Sequence, residues 1–181
     1  GGSLKSMIDS NAASLRKIYN ETFEANFYSS VRTITKARRV YIIGARSSYS
    51  IAVYLGSILN NHQDNVILLR QGDFSAFADV TSEDSLIAIG FARYTRITCE
   101  TAKYFYDKGC TVISISDSYT SPIALSSENV LSVSNASGYP VAEAMSIAVY
   151  LTTAVAQVNP QKSLERMENM EKLGDSLRAY I

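Results

Sequence analysis

Short, nearly continuous apolar runs alternate with longer helical patterns along this chain, and the alternation limits what it can fold into. Five runs are rich in Val, Ile and Leu, as expected of parallel strands that are buried on both faces. Alternation at this spacing predicts βαβ units, and therefore an α/β fold: a three-layer α/β/α sandwich around a five-stranded parallel sheet. The predicted strands are Arg39–Ile43, Val66–Leu69, Ser85–Ile89, Thr111–Ser116 and Asn129–Val133.

Helical periodicity fills the segments between and around these runs. Lys108 followed by Gly109 is typical of a helix end, because a cation favours the last turn and glycine the position after it. The pair Asn159-Pro160 predicts a break between two helices. The predicted helical segments are Leu4–Tyr19, Glu21–Lys36, Ser48–Leu59, Tyr94–Lys108, Val141–Val158 and Gln161–Tyr180, with shorter pieces near Phe74–Ala78 and Pro122–Ser126.

The composition is that of one globular domain. Of the 181 residues, 46% are apolar and 19% are charged, which excludes an intrinsically disordered chain. The 17 Lys and Arg balance the 17 Asp and Glu, and a net charge of zero argues against non-specific binding to nucleic acid. Two cysteines and one histidine are too few for a disulfide framework or a zinc site, so we expect no metal and no cofactor.

No segment predicts a membrane span or an export signal. The longest apolar stretch, Val141–Ala156, is interrupted by Glu143 and by hydroxyl side chains, whereas a span needs about 20 apolar residues. The N-terminus lacks the basic and then apolar pattern of a signal peptide. We therefore expect a cytoplasmic protein without membrane contact, and we interpret Gly1-Gly2-Ser3 as a remnant of a linker or tag.

Polar residues follow the first predicted strand, at the edge where ligands of parallel sheets bind. Gly44 allows a tight turn, and Ser47 or Ser48 can cap the next helix by accepting from a backbone N–H. The same N–H groups, with two hydroxyls and the helix dipole, would hold a phosphate. An ordinary βα turn is the alternative, because the segment lacks a Walker lysine and a complete GxGxxG.

The third predicted strand is followed by a similar loop. Gly90 begins this loop, and Thr95 is the expected cap of the helix after it. Arg93 and Tyr94 would sit at the mouth of the crevice between the strand ends. Arginine at a helix start opposes the dipole, so Arg93 indicates either an anionic partner or a simple exposed side chain.

A third polar loop follows the fourth predicted strand. It begins with Asp117, and Ser121 before Pro122 is expected to cap a short helix. Any one of these loops is a weak signal. Three polar loops at successive strand ends favour a ligand site at that edge of the sheet.

Together these segments resemble the SIS (sugar isomerase) domain, a flavodoxin-like fold that binds phosphosugars. The resemblance rests on Gly44-x-x-x-Ser48 after a strand, on IGFARYT, and on ISDSYTSPIA, whose SPIA is similar to the family's S-P-L-A. The segment Asn11–Gly44 resembles the connector that enters the SIS domain in RpiR-type transcriptional regulators. Because those regulators carry a helix-turn-helix domain before the connector, the resemblance implies an excised piece of a regulator or a natural stand-alone relative.

Two loops depart from the family pattern. The usual first loop is G-x-G-x-S, and here Arg46 replaces its second glycine. The usual second loop is S-x-S-G-x-T, and here its positions are Gly90, Ala92, Arg93 and Thr95. Both serines are lost and a glycine has become arginine. Some regulators resemble this chain in carrying F-P-R-Y-[ST], which FARYT matches closely.

The resemblance carries Ser47, Ser48 and Thr95 over as phosphate contacts. Arg46 and Arg93 facing one crevice could bind a phosphate or carboxylate bidentately. The competing interpretation is a degenerate site that these two arginines fill. The whole predicted ligand site comprises Gly44, Arg46, Ser47, Ser48, Gly90, Arg93, Tyr94, Thr95, Asp117 and Ser121.

Catalysis has less support in the sequence. Aldose–ketose isomerisation needs a base that moves a proton between adjacent carbons. Glu143, at the start of an apolar helix, is the one weak candidate, and the competing interpretation is a first-turn carboxylate favoured by the dipole. His62 lies in a polar stretch and is expected to be exposed, although SIS enzymes can borrow residues across a dimer interface.

Three functions therefore stay open. The favoured one is an effector-sensing and dimerisation domain of an RpiR-type regulator, which binds a phosphorylated sugar or a related small anion. The others are a phosphosugar isomerase or epimerase, and a ligand-free oligomerisation module.

The domain boundaries and partners follow from the same resemblance. We expect connector helices over residues 4–38, an SIS domain over 39–181, and DNA contact only through a helix-turn-helix domain outside this sequence. The apolar helices at both ends predict a homodimer or tetramer. The last helix carries an apolar stripe for a core or subunit contact at Leu164, Met167, Met170, Leu173, Leu177 and Tyr180.

Overall fold

The computed structural model, which describes residues 2–134 and 138–179, contains one sheet of five parallel strands. Every neighbouring pair in it is parallel. The predicted α/β fold is therefore confirmed, and all five strands occur within one residue of their predicted bounds. They are β1 (Val40–Gly44), β2 (Val66–Leu68), β3 (Ser85–Ile89), β4 (Thr111–Ser116) and β5 (Asn129–Ser132), in the spatial order β2-β1-β3-β4-β5.

The helices also follow the predicted pattern, with differences at their ends. The last helix ends at Ser176 because Arg178 adopts the left-handed conformation, at φ 51°, that terminates helices. Its predicted end, Tyr180, lies outside the described residues. The helices are α1 (Leu4–Arg16), α2 (Glu21–Lys36), α3 (Ser47–Asn60), α4 (Arg96–Asp107), α5 (Val141–Val158) and α6 (Pro160–Ser176), with 3-10 turns at Phe74–Phe77 and Ala124–Ser126.

Helix caps explain several of these boundaries. Gly109 has φ +81° after Lys108, so the predicted end of α4 is confirmed. The carboxamide of Asn159 accepts a hydrogen bond from the Lys162 N–H at 3.1 Å, which starts α6 after the predicted break. Ser3, which the sequence assigned to a linker remnant, caps α1 by accepting from the Ser6 N–H at 3.2 Å.

Apolar side chains on the two faces of the sheet form two cores, as the side-chain alternation of strands requires. On one face, Ile42 and Ile87 pack in a core that includes residues of α2, α3 and α5. On the other face, Tyr41 and Leu86 pack against Phe105 of α4. Both faces are therefore covered, which explains why the strands are nearly continuous apolar runs.

Helix α5 is long and apolar enough to cross a membrane by its length and composition. In the fold it is instead a core helix, because Ala144, Ile147, Ala148 and Leu151 are fully buried in the larger core. Its apolar character is thus explained by packing inside the domain.

A buried ion pair joins the chain segments just before β1 and β3. The Asp84 carboxylate accepts from Arg38 Nε at 2.9 Å and from Arg38 Nη2 at 2.7 Å. It also accepts from the Thr81 N–H at 2.8 Å. The Asp84 side chain is fully buried, whereas that of Arg38 is 36% exposed.

We expect Asp84→Ala to lower the free energy of unfolding by about 3 kcal/mol, because it leaves the Arg38 guanidinium and the Thr81 N–H without their buried acceptor. The matched control is Asp107→Ala, which breaks the exposed ion pair with Lys103. It should change the free energy of unfolding by less than about 0.5 kcal/mol. Urea denaturation of both variants measures the difference. Equal effects would contradict the structural role assigned to Asp84.

Candidate anion-binding site

A crevice lies at the carboxyl ends of β1 and β3, where the strand order reverses. These two strands are neighbours, with Gly44 opposite Ile89, but the chain leaves β1 toward β2 and leaves β3 toward β4. Ligands of open parallel sheets bind at such a reversal. The crevice has a volume of about 180 Å³ and is lined by residues 45–48, residues 89–95 and Tyr139.

Most of the predicted site residues come together in this crevice. Three of them do not line it: Gly44 packs against Ser48, Asp117 bonds to the Ala92 N–H of the second loop, and Ser121 bonds to Ser116 of β4. No ligand is present, so the binding role of each residue stays a prediction. The predicted residues that line the crevice are Arg46, Ser47, Ser48, Gly90, Arg93, Tyr94 and Thr95.

Close packing requires glycine at the end of β1 and favours it at the end of β3. A Cβ on Gly44 would lie 2.5 Å from the backbone oxygen of Ser48, so only glycine lets the first turn of α3 approach β1 this closely. A Cβ on Gly90 would lie 2.4 Å from the Cδ1 atom of Ile123. Both glycines therefore bring the loops close to the sheet.

The first loop differs from its prediction in how the helix begins. Helix α3 starts at Ser47, and the cap position is taken by Arg46, whose side chain makes no capping hydrogen bond. The prediction that Ser47 or Ser48 caps α3 is therefore wrong, since both lie inside the first turn. Instead, Ser47 Oγ donates to the Tyr139 hydroxyl at 2.7 Å, and Ser48 Oγ lies 3.1 Å from the same oxygen.

The second loop is held by Asp117 at the end of β4. Its carboxylate accepts from the Ala92 N–H at 2.8 Å and also from the Tyr94 hydroxyl. Burial and this hydrogen bond raise the pKa of Tyr94 to about 12, so the phenol stays protonated at neutral pH. Asp117 thus fixes the backbone and one side chain of the loop that lines the crevice.

Two hydroxyl caps were predicted near this loop, and one of them makes the expected hydrogen bond. The Ser121 hydroxyl accepts from the Ala124 N–H at 3.1 Å, although the 3-10 turn begins at Ala124 and Ile123 occupies its cap position. Thr95 occupies the cap position of α4 but makes no capping bond, so that prediction is wrong. Its hydroxyl pairs with Thr98 Oγ1 at 2.9 Å instead.

Three helices begin at this edge of the sheet without a side-chain cap among the described residues: α3, α4 and α5. The other three are capped by Ser3, Asn20 and Asn159. The first turns of α3 and α4 also contain no acidic residue. In α3 the N–H groups of Ser48 and Tyr49 already donate to the Ala45 and Arg46 carbonyls, each at 3.1 Å. The helix dipoles and the remaining first-turn N–H groups favour an anion at the crevice.

Arg46 and Arg93 both have positive φ, at 56° and 65°. This conformation favours glycine, which the family resemblance implies at both positions. Holding a larger residue there costs of order 1–3 kcal/mol. Within the described part of the chain, neither arginine forms an ion pair. Two strained and unpaired cations at one crevice are consistent with an anionic ligand.

Sequence reasoning did not identify Tyr139 as a site residue. Its ring packs edge-on against Phe91, with centroids 5.3 Å apart, and its hydroxyl bonds to the serines of the first loop. Tyr139 lies in the segment between β5 and α5, which also ends at the carboxyl edge. Treating that strand end like the other three would have identified it.

Glu143, the weak catalytic candidate, and His62 lie far apart in the fold. Glu143 is in the first turn of α5, as predicted, and is fully buried. His62 follows α3 at the opposite edge of the sheet, where its Nδ1 atom bonds to Ser163 Oγ. It is half-buried, which contradicts the expected exposure, and burial lowers its pKa. The fold therefore does not bring these residues together within one chain.

Comparisons with known proteins identify one family. A family model described as the SIS domain matches residues 33–159, which include all five strands. No protein of curated function matches the sequence.

Solved structures share the fold at low identity. The sugar isomerase domain of an RpiR transcription factor from Sphaerobacter thermophilus has 21% identity and a TM-score of 0.84, covering 91% of this chain and 96% of that one. The Vibrio vulnificus NanR protein in complex with ManNAc-6P has 16% identity and a TM-score of 0.76, covering 96% and 70%.

A third similar structure has an inferred enzymatic function. It is a Methanococcus jannaschii protein with an inferred 3-hexulose-6-phosphate isomerase function, and it has 14% identity and a TM-score of 0.72, covering 88% of this chain and 96% of that one. Likeness at these identities shows the fold.

We expect Tyr139→Phe to lower the free energy of unfolding by about 1 kcal/mol, because it removes the hydroxyl that joins the first loop to the β5–α5 segment. In a double-mutant cycle with Ser48→Ala, the two effects should be non-additive by about 0.5 kcal/mol or more. Denaturant unfolding of the single and double variants measures this coupling. Strict additivity would mean that Ser48 does not interact with Tyr139.

Proposed function

The chain belongs to the SIS domain family, and on that premise we propose that it is the phosphosugar-sensing and dimerisation domain of an RpiR-type transcriptional regulator. The observation that carries the proposal is the crevice between β1 and β3. There, the uncapped beginnings of α3 and α4 lie beside the unpaired Arg46 and Arg93. The fold shared with the Sphaerobacter RpiR domain, and with NanR in complex with ManNAc-6P, supports the same function.

The crevice offers a phosphate both charge and hydrogen-bond donors. Backbone N–H groups of the two first turns would point at its oxygens, as at other helix beginnings that bind phosphate. A guanidinium group binds phosphate oxygens in pairs and keeps its charge at every physiological pH. Arg46 and Arg93 would therefore take over the role of hydroxyls that the family pattern places in these loops.

Dimerisation is supported by apolar side chains on the terminal helices. Leu4, Met7 and Ile8 are exposed on α1. On α6, Leu164 and Leu173 are more than half exposed. In a regulator, the ligand would bind one arrangement of the two subunits better than the other, because only a difference in affinity shifts such an equilibrium. DNA contact would belong to a helix-turn-helix domain outside this sequence, in agreement with the net charge of zero.

One observation favours phosphosugar isomerisation as a second function. Glu143 is a buried carboxylate at the beginning of α5, which starts at the same edge of the sheet as the crevice. A base in such a position could move a proton on a bound sugar. His62 at the opposite edge would have to come from another subunit.

A thermal-shift screen with sugar phosphates, phosphorylated amino sugars, sugar acids and free phosphate tests the sensing function. A ligand at about 100 times its Kd adds about 2.7 kcal/mol, which is on the order of 5 °C in Tm for a domain of this size. We expect one class of sugar phosphate to give such a shift and free phosphate to give none.

The other outcomes of the screen identify the competing functions. No shift with any compound would favour an oligomerisation module whose crevice is filled by its arginines. Conversion of the bound sugar into its isomer, lost in Glu143→Gln, would make the domain an enzyme.

Substitution of Arg46, whose backbone is strained, gives a second test of ligand binding in the crevice. We expect Arg46→Gly to raise the free energy of unfolding by about 1 kcal/mol while it weakens ligand binding, because glycine relieves the strain at φ 56° and removes the charge. The matched control Arg46→Ala removes the charge but keeps the Cβ, so it should weaken binding without the gain in stability. Unfolding and binding measurements on both variants separate the two contributions. A stabilised Arg46→Gly variant with unchanged binding would show that Arg46 does not hold the ligand.

A further inference from the structure

A second cavity lies on the other side of the β1–α3 turn from the crevice. It opens between the ends of β1 and β2 and has a volume of about 350 Å³. Ala45 and Arg46 line both cavities, so the turn is a shared wall. The second cavity adds the polar side chains of Arg70, Gln71 and Tyr49 to apolar ones such as Leu69.

The charged side chains that line the two cavities are all positive. Three arginines line them, Arg93 in the crevice, Arg46 in the shared wall and Arg70 in the second cavity, and the described lining contains no Asp or Glu. All three side chains are exposed, and within the described part of the chain none of them forms an ion pair, so their guanidinium groups are free to meet a ligand.

The excess of positive charge is confined to the lining of the two cavities. The chain as a whole has a net charge of zero, so the three unpaired cations are not the result of a basic composition. A cleft lined by one sign of charge focuses its field and favours a ligand of the opposite sign. One phosphate in the crevice would leave Arg70 in the second cavity without a partner.

We propose that the ligand is a phosphorylated sugar acid, with its phosphate in the crevice and its carboxylate in the second cavity between Arg46 and Arg70. This inference rests on the proposed sensing function and names the class of ligand. A planar carboxylate matches the paired donors of a guanidinium group, and Gln71 and Tyr49 offer further hydrogen bonds. The apolar walls of the cavity would contact the carbon chain that carries the acid.

Isothermal titration calorimetry with matched pairs of compounds tests this class. The pairs are glucose 6-phosphate with 6-phosphogluconate, and arabinose 5-phosphate with 5-phosphoarabinonate, which differ within each pair by the acid at C1. In the wild-type protein we expect the acid of at least one pair to bind about tenfold more tightly, or about 1.4 kcal/mol. In Arg70→Gln the ratio within that pair should fall to near one. The matched control Arg16→Gln removes an exposed arginine at the end of α1 that lines neither cavity, and it should keep the tenfold ratio.

The remaining outcomes overturn the inference in distinguishable ways. Equal binding within both pairs, or a preference that persists in Arg70→Gln, would exclude a carboxylate site at Arg70 while the sensing function stands. Absence of binding for all four compounds at millimolar concentration would overturn the phosphorylated sugar acid, whereas the sensing function would fail only if the wider thermal-shift screen also gave no shift.

Discussion

Parallel pairing of β1 with β3 sets the geometry on which the rest of this domain depends. Parallel strands must be joined by segments that return along the sheet, so each helix that follows a strand begins at the carboxyl edge. The helices α3, α4 and α5 therefore all begin at one edge of the sheet. Because the strand order reverses between β1 and β3, the loops after these two strands diverge and leave a crevice. Within the described residues, these three helices lack side-chain caps. Anion binding is thus favoured by the topology before any particular side chain contributes.

The loops at this edge combine close packing with strain. Gly44 allows the first turn of α3 to approach β1 more closely than any other residue could, and at Gly90 a larger residue would displace the end of the Ile123 side chain. Arg46 and Arg93, in contrast, are large charged residues whose backbone has a positive φ, a conformation that favours glycine. The Asp117 carboxylate at the end of β4 holds the second loop by accepting a hydrogen bond from the Ala92 N–H. Strained residues lower the stability of the folded state, and they occur mainly at functional sites. A strained arginine without a role could be replaced by glycine with a gain in stability.

The sequence predicted what depends on burial and periodicity, and it was less successful where distant segments meet. The strands were found because burial on both faces leaves continuous apolar runs, as in Ser85–Ile89. The predicted cap at Ser47 or Ser48 was wrong because α3 already begins at Ser47, and the cap at Thr95 was wrong because its hydroxyl bonds to the Thr98 side chain. Tyr139 was missed because its bond to Ser47 joins residues 92 positions apart. The second cavity has no local pattern at all, since the end of β1, the start of α3, the segment after β2 and the first turn of α4 form it together.

Helix α6 is attached to the domain mainly by polar contacts. Arg166 donates to the Asn60 carbonyl at 2.6 Å and Ser163 bonds to His62, while Ser163 and Gly174 are its only buried residues among those described. It also lies beyond the residues that match the family model. A helix that buries so little apolar surface has little stability of its own. If its exposed leucines form the subunit interface, then ordering of α6 and association are one equilibrium, and the melting temperature rises with protein concentration.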